Sequence, residues 1–331
     1  MISVVIPNFN KAEYIAETLD SLLAQDIPDW EALVVDDGST DASVDIVRRY
    51  CSADSRFTML NTEESRRGGN AARNIGLAYA NFDYIVFLDA DDLLTPSCLR
   101  RRVTLMRHVD VDFGVFPIAS FEYEIGDMDS VWIGDKENNH IKAFMQHRLL
   151  WTTMSVLWTK AYLERIGGFD ERFLRLQDVE LHTRALLLDA TYQIFGSADI
   201  DAYYRTVAGR HAVSATEMCR RYFDSTIIYC QSTLMLYSSS KTNEHLMQEG
   251  ARWLRGTVFA IILHLVNAKC RGEITKKDAY VLLERFLGDT VIRGIFPGLS
   301  QYIPRIFYFI AGWRRPRIRG LSRGFVFLFS S

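Results

Sequence analysis

The sequence predicts an α/β fold: a mainly parallel, mixed sheet flanked by helices, with a helical C-terminal extension. Three features carry that prediction. From Ile2 to Phe116, short β-rich runs alternate with stretches of helical periodicity, the pattern of βαβ units around a parallel sheet. The runs are apolar at successive positions and stop abruptly at polar or acidic residues, as strands buried on both faces do. Beyond about Ser214 the alternation ceases and helical patterns take over. The expected division is residues 1–214 as an α/β domain and 215–331 as a helical region.

Ile2-Ser3-Val4-Val5-Ile6 is the first strand, ended by the turn-forming Pro7-Asn8-Phe9-Asn10. Ile15, Leu19, Leu22 and Leu23 then recur at the spacing of one helix face. Ala32-Leu33-Val34-Val35 is the second strand, closed by Asp36-Asp37-Gly38-Ser39-Thr40-Asp41, and Val44, Ile46 and Val47 continue as a helix. Phe57-Thr58-Met59-Leu60 is the third strand, and Gly68-Gly69-Asn70 opens a helix carrying Ala72, Ile75, Leu77 and Ala78. Tyr84-Ile85-Val86-Phe87-Leu88 is a fourth strand running into Asp89-Ala90-Asp91-Asp92, followed by a helix from about Thr95 and a strand at Phe113-Gly114-Val115-Phe116.

The polar, irregular stretch from Phe121 to Asn139 reads as a surface excursion, after which Trp151–Trp158 re-enters the sheet. Its two tryptophans suit either core packing or stacking on a sugar ring. A glycine-marked turn, Ile166-Gly167-Gly168-Phe169-Asp170-Glu171, precedes a helix with Asp178 and Glu180 in its first turn, where acids also interact well with the helix dipole. Helices are further expected around Phe223–Leu236, Trp253–Val266 and Ala279–Leu287.

In doubly wound sheets, ligands bind outside the carboxyl ends of the strands. Here those ends bring together Pro7-Asn8-Phe9-Asn10, Asp36-Asp37 and Asp89-Ala90-Asp91-Asp92. Three carboxylates within four residues repel one another, and burying one unpaired is costly. Such a cluster holds a divalent cation, or it is an acidic turn capping the next helix with Pro96 at its first position. An acid after the second strand can accept hydrogen bonds from a ribose or base. The first turn lacks G-x-G-x-x-G, which excludes pyrophosphate binding of the dehydrogenase kind. A metal at Asp89 and Asp91 would take over that task, aided by Arg73; Arg66 and Arg67 supply further positive charge or a solvated face.

Composition narrows the classes. Hydrophobic residues at 48% and charged residues at 24% exclude a disordered or fibrous chain. A formal net charge of −3 makes no case for nucleic-acid binding. The five cysteines form no C-x-x-C pair, which argues against a zinc site or a disulfide framework. No basic segment leading into an apolar one opens the sequence, so a reducing, cytosolic compartment is expected. No apolar run approaches the ~20 residues that span a bilayer.

Val4-Val5-Ile6-Pro7-Asn8-Phe9-Asn10, Val34-Val35-Asp36-Asp37-Gly38-Ser39-Thr40-Asp41, Ala72-Arg73-Asn74-Ile75-Gly76 and Phe87-Leu88-Asp89-Ala90-Asp91-Asp92 occur in this order. Together they resemble the family 2 glycosyltransferases of the GT-A fold. The resemblance implies that Asp37 holds the nucleotide's base, usually uracil, with Pro7 and Phe9 lining the same pocket. It implies that Asp89 and Asp91 form the D-x-D element that brings Mn²⁺ or Mg²⁺ to the donor's diphosphate. Asp91 would be the direct ligand, with Asp92 in contact with donor or metal and Arg73 on the phosphates.

The turn at Gly167–Glu171 is similar to the family's G-G-F-D-E, which precedes an E-D pair whose aspartate is the general base. That role falls to Asp178, with Gln177 where glutamate is commoner, so one charge is missing beside the base. A single base and no second catalytic carboxylate imply direct displacement with inversion. Tyr203-Tyr204-Arg205, Arg210-His211 and Ser214 resemble the family's closing segment, in which His211 would approach metal or diphosphate, or be an ordinary loop residue. The implied partners are a nucleotide-sugar donor, a UDP-sugar, and a saccharide or lipid-linked saccharide acceptor in polysaccharide synthesis. A sugar nucleotidyltransferase and a non-catalytic sugar-nucleotide or glycan-binding protein are the rival readings. The helical region would serve acceptor binding, oligomer formation or membrane contact.

From Arg293 onward there is no acidic residue, and residues 305–329 interleave arginines with aromatic and aliphatic side chains. Such a segment seeks anionic lipid at a membrane surface, or folds onto the protein with a solvated basic face. The expectation is a cytoplasmic protein peripheral to the inner face of the cell membrane, with no nucleic-acid partner.

Overall fold

The computed structural model describes residues 1–132, 138–206, 213–240 and 244–297. In order, the elements are β1 (Ile2–Asn8), α1 (Ile15–Leu23), β2 (Trp30–Asp36), α2 (Ser43–Ala53), β3 (Phe57–Asn61), α3 (Gly69–Tyr79) and β4 (Tyr84–Phe87). Next come β5 (Leu93–Leu94), α4 (Cys98–Met106), β6 (Phe113–Val115), β7 (Ile118–Phe121), β8 (Val131–Trp132) and α5 (His140–Met145). Then follow β9 (Val156–Thr159), α6 (Lys160–Arg165), α7 (Gln177–Leu187), β10 (Tyr192–Ile194) and β11 (Ala202–Arg205). The chain continues through α8 (Ala215–Ser240), α9 (Glu244–Cys270), α10 (Lys276–Gly288) and α11 (Thr290–Ile295).

These elements form two compact units that interleave along the chain. The described residues of Met1–Asn138, Leu150–Glu171 and Asp189–Gly209 make the first, and those of Asn139–Leu149, Arg172–Leu188 and Arg210–Ser331 the second. The units therefore do not follow one cut after residue 214: α5 and α7 group with the C-terminal helices.

The first unit holds a seven-stranded sheet in the order β10-β6-β9-β4-β1-β2-β3. β1 lies parallel to both β2 and β4, with Val5 opposite Leu33 and Phe87. β9 runs antiparallel between β4 and β6, so the sheet is mixed as expected. Alternate residues of β1 face opposite ways. Val4 and Ile6 join Val34, Val86, Ile15, Leu19, Leu22, Leu99 and Val103 in one core layer, which packs α1 and α4 on that face.

Val5 points to the other face, where α3 crosses so closely that a Cβ on Gly76 would stand 2.3 Å from Val5 Cγ1. Gly76→Ala therefore destabilises despite its gain of about 1 kcal/mol in helix propensity, because overpacking a filled core costs about 1–3 kcal/mol. A lowered thermal midpoint is the check. Trp151 and Trp158 are buried against Phe113, which makes them core residues.

A smaller sheet, β5-β11-β7-β8, completes this unit. It is anchored by a fully buried ion pair. Arg102 on α4 donates to both carboxylate oxygens of Asp201 at 2.9 and 2.5 Å, and to Met154 O at 2.7 Å. Asp201 immediately precedes β11, the strand that carries Arg205.

In the second unit the long helices α8 and α9 pack against each other, with α7 against α8 and α5 against both α7 and α9. Thr183 on α7 shares a hydrogen bond with the buried Tyr229 hydroxyl at 2.8 Å, and Thr257 Oγ1 donates to Met145 O at 2.8 Å. Phe223 stacks on Phe286 at 4.4 Å between centroids. Among the described residues, no helix is long and apolar enough to cross a membrane.

Candidate active site

The end of β1 and the turn after β2 are tied together before any ligand arrives. Asn8 is buried and donates to Asp36 Oδ1 at 2.7 Å. Asp36 in turn accepts from the backbone N–H groups of Gly38 and Ser39, both at 3.0 Å. That turn needs Gly38 at φ +80°. Asp36 is thus engaged in building the loop, while Asp37, half-buried, turns the other way. Its oxygens accept from Thr62 Oγ1 at 2.8 Å and from Gly68 N at 2.9 Å. Each carboxylate oxygen can accept more than one hydrogen bond, so Asp37 keeps capacity for a ligand N–H. Its own N–H donates to Asn8 O at 2.8 Å, which holds it next to Phe9. Phe9 is 45% exposed and Pro7 half-buried, so a free aromatic face and a carboxylate sit at adjoining strand ends.

β4 delivers the acidic element. Leu88 N still donates to Val5 O at 3.0 Å, after which the chain leaves the sheet and the carboxylates diverge. Asp89 Oδ1 accepts from Arg73 Nη2 at 2.6 Å. Arg73 is only 6% exposed, its guanidinium lies 5.3 Å over the Phe169 ring, and its buried Nε has no hydrogen-bond partner among the described residues. Asp91 Oδ2 pairs with the ammonium of Lys11.

Asp92 is 2% exposed and accepts from Arg205 N at 2.9 Å. Burial, reinforced by the neighbouring charges of Asp89 and Asp91, pushes its pKa well above the usual carboxylate range. Its carboxyl faces inward and fastens β11 beneath the loop. Arg205 completes the arrangement: it donates to Asp91 O at 2.8 Å and to Glu17 Oε2 at 2.5 Å, between the rings of Tyr14 and Phe121.

Among the described residues, no three His, Cys, Asp or Glu side chains converge as a ready-made metal cage. The donor set nevertheless fits Mg²⁺ or Mn²⁺, hard cations that take one or two carboxylates and complete their shells with water and substrate phosphates. Asp89 Oδ2 and Asp91 Oδ1 have no partner among the described residues, and both side chains reach solvent.

α3 joins this rim to the turn before Asp178. Asn74 donates to Phe169 O and accepts from Phe169 N, both at 2.8 Å, and Asn70 donates to Asp170 O at 2.9 Å. A Cβ on Gly168, at φ +64°, would lie 2.5 Å from Asn74 Oδ1, so only glycine fits. Glu171 takes a bidentate ion pair from Arg66, with a further hydrogen bond from Asn74. The Arg66 contacts hold its carboxyl below the usual range against partial burial. Arg66 therefore clamps the turn, and the Arg67 guanidinium lies against Gly38.

Asp178 belongs to the second unit. α7 starts after Leu176, which adopts a left-handed φ of +62° without a side-chain cap. Asp178 Oδ1 accepts from Val179 N at 2.9 Å. The two acids of this turn differ. Glu180 is buried and paired with Arg184 at 2.6 Å, whereas Asp178 is half-buried. It lies near enough to Tyr222 that its charge adds to burial in raising that phenol's pKa, with Arg175 opposing. His211 and residues 305–329 lie outside the described residues.

Lys11, Glu17 and Arg205 were not singled out from the sequence as site residues. For Lys11 the only signal was position, directly after the turn that ends β1, whereas Arg205 lies in the Tyr203-Tyr204-Arg205 run that resembles the family's closing segment, without a role of its own assigned there.

The model of the glycosyl transferase family 2 matches residues 3–171, just over half of the chain. Among curated proteins, the putative teichuronic acid biosynthesis glycosyltransferase TuaG of Bacillus subtilis is 38% identical over 106 residues, covering 32% of this chain and 42% of its own. The chain spans less than two thirds of the length of the curated relatives it matches, from 42% to 65% for three of them. Among solved structures, Staphylococcus aureus TarS 1–349 in complex with UDP-GlcNAc superposes with a TM-score of 0.65 at 18% identity, covering 94% of this chain and 87% of that one. The mannosyltransferase PcManGT of Pyrobaculum calidifontis, in complex with GDP-Man and Mn²⁺, gives 0.50 at 18% identity, covering 94% and 85%. These are likenesses of fold, and they bear out the GT-A expectation. The chain belongs to glycosyl transferase family 2.

Proposed function

We propose that this protein transfers a sugar from a UDP-sugar to a hydroxyl of a saccharide or lipid-linked saccharide during polysaccharide assembly, with inversion at the anomeric carbon. The observation that carries the reading is the meeting, at the ends of three adjoining parallel strands, of an exposed aromatic ring, a hydrogen-bonded carboxylate and a D-x-D pair beside a buried arginine. Membership of the family and the names of relatives such as TuaG support the reaction class. UDP-GlcNAc bound to TarS and Mn²⁺ bound to PcManGT support the donor and the ion.

In this account the base lies against Phe9, with Pro7 beside it, and donates an N–H to Asp37. Arg73 meets the diphosphate with a guanidinium already fixed by Asp89 and Phe169. Asp91 and Asp89 would hold Mn²⁺ or Mg²⁺, which when bound supplies positive charge against the leaving diphosphate. Asp92, buried under the loop, supports Asp91 from within. Asp178 takes the proton of the acceptor hydroxyl as that oxygen attacks. A single displacement inverts configuration, whereas a double displacement would preserve it and needs a suitably placed nucleophile.

The test is a calorimetric screen of UDP-, GDP- and dTDP-sugars. A UDP-sugar binds, and Asp37→Ala weakens it by about 10- to 100-fold through loss of a charged hydrogen-bond acceptor. Preference for a GDP-sugar, or an Asp37→Ala variant with unchanged affinity, contradicts the uracil pocket.

A further inference from the structure

We propose that Lys11 is the resident counter-cation of Asp91, displaced when a divalent ion binds, and that it thereby sets how tightly this protein holds the metal. The inference rests on the reading of Asp91 as a metal ligand and adds to it a competitor built into the chain. The rim carries three charge pairs: Asp89 with Arg73, Glu17 with Arg205, and Asp91 with Lys11. Two of the cations are pinned. Arg73 is buried beneath Phe169, and Arg205 is held between Tyr14 and Phe121 while donating to Asp91 O.

Lys11 differs from both. Its backbone is fixed, because its carbonyl accepts from Tyr14 N and Ile15 N at 2.9 Å each as α1 begins. Its ammonium has Asp91 as its one partner among the described residues, and the side chain is 33% exposed. A lysine head on a flexible stem is a hydrated point charge that can swing to solvent, which a stacked, forked guanidinium cannot do as readily. Asp91, with 22% of its side chain exposed, is therefore the carboxylate of the three whose cation is exchangeable. An ammonium and a divalent ion on one carboxylate repel each other, so metal binding costs the Lys11 contact. In the metal-free protein the same contact offsets repulsion among Asp89, Asp91 and Asp92.

The experiment titrates Mn²⁺ into nucleotide-free protein and follows the free-ion electron paramagnetic resonance signal, with thermal midpoints measured in EDTA and in Mn²⁺. Lys11→Met and Lys11→Gln tighten Mn²⁺ binding by about two- to fivefold, the scale of one partly exposed ion pair. Both variants melt lower than wild type in EDTA and gain more from Mn²⁺ than wild type does. Asp91→Ala, with Lys11 intact, loses this Mn²⁺ binding. If Asp91→Ala abolishes binding while the Lys11 variants bind Mn²⁺ no more tightly than wild type, the counter-cation role is overturned and the metal site stands. If Asp91→Ala leaves binding unchanged, the metal site is overturned and Lys11's role with it.

Discussion

Asp178→Asn lowers kcat by about two to four orders of magnitude, the usual contribution of a positioned general base, and leaves UDP-sugar affinity unchanged. The substitution is chosen to remove basicity alone. The amide oxygen can still accept from Val179 N, as Asp178 Oδ1 does at 2.9 Å, so the first turn of α7 is retained. The neighbouring Glu180 is buried in its own ion pair with Arg184 and cannot replace the lost carboxylate. Steady-state kinetics against calorimetry separates the effects: loss in kcat with constant donor affinity marks a group acting on the reacting hydroxyl. Full turnover in Asp178→Asn would remove the base and favour a sugar nucleotidyltransferase.

Asp201→Ala destabilises the first unit by about 3–5 kcal/mol, because it leaves Arg102 charged and unpaired where neither side chain has any exposure. The companion measurement is the double variant Arg102→Met/Asp201→Leu. Replacing both members of a buried pair by apolar groups is often neutral or stabilising, so the double variant recovers most of the stability lost by the single one. Urea unfolding reads both. A single variant as stable as wild type would mean that water reaches Arg102 and that the pair does not anchor the small sheet. The consequence for the site is direct, since Asp201 leads into β11 and Arg205 of that strand holds both Asp91 O and Glu17.

The strands that build the rim were legible because each is largely buried and carries a run of successive apolar residues, Val4–Ile6 in β1 and Ala32–Val35 in β2 above all. Strand direction was not: Val156–Thr159 looks like any other run, and only pairing with β4 and β6 makes it antiparallel. The two-residue strands β5 and β8 and the polar β10 carry too little pattern to be seen. The helix expected from about Thr95 begins at Cys98, because Thr95 N is drawn away to Asp201 O, a contact between residues far apart in sequence. The grouping of α5 and α7 with the C-terminal helices was hidden for the same reason: apolar residues such as Phe144 announce burial but not against what.

Within the site, acids at strand ends could be read as a group, but their individual roles depend on partners. Asp36 and Asp37 are neighbours of one type, yet one builds a turn and the other faces Thr62 and Gly68. Asp91 and Asp92 divide likewise, one toward Lys11 and solvent, the other inward to Arg205 N. Only long-range packing assigns them, which is also why Lys11 and the partners of Arg205 were not evident beforehand.

The most direct test is calorimetric titration of a UDP-sugar into wild-type protein and Asp91→Ala, each with and without Mn²⁺. Mn²⁺ strengthens binding to the wild type by about tenfold or more, a gain of about 1.4 kcal/mol, and Asp91→Ala binds the donor weakly whether or not the ion is present. Equal affinity with and without Mn²⁺ in the wild type, or an undiminished Mn²⁺ gain in Asp91→Ala, contradicts a cation-assisted donor site at the end of β4.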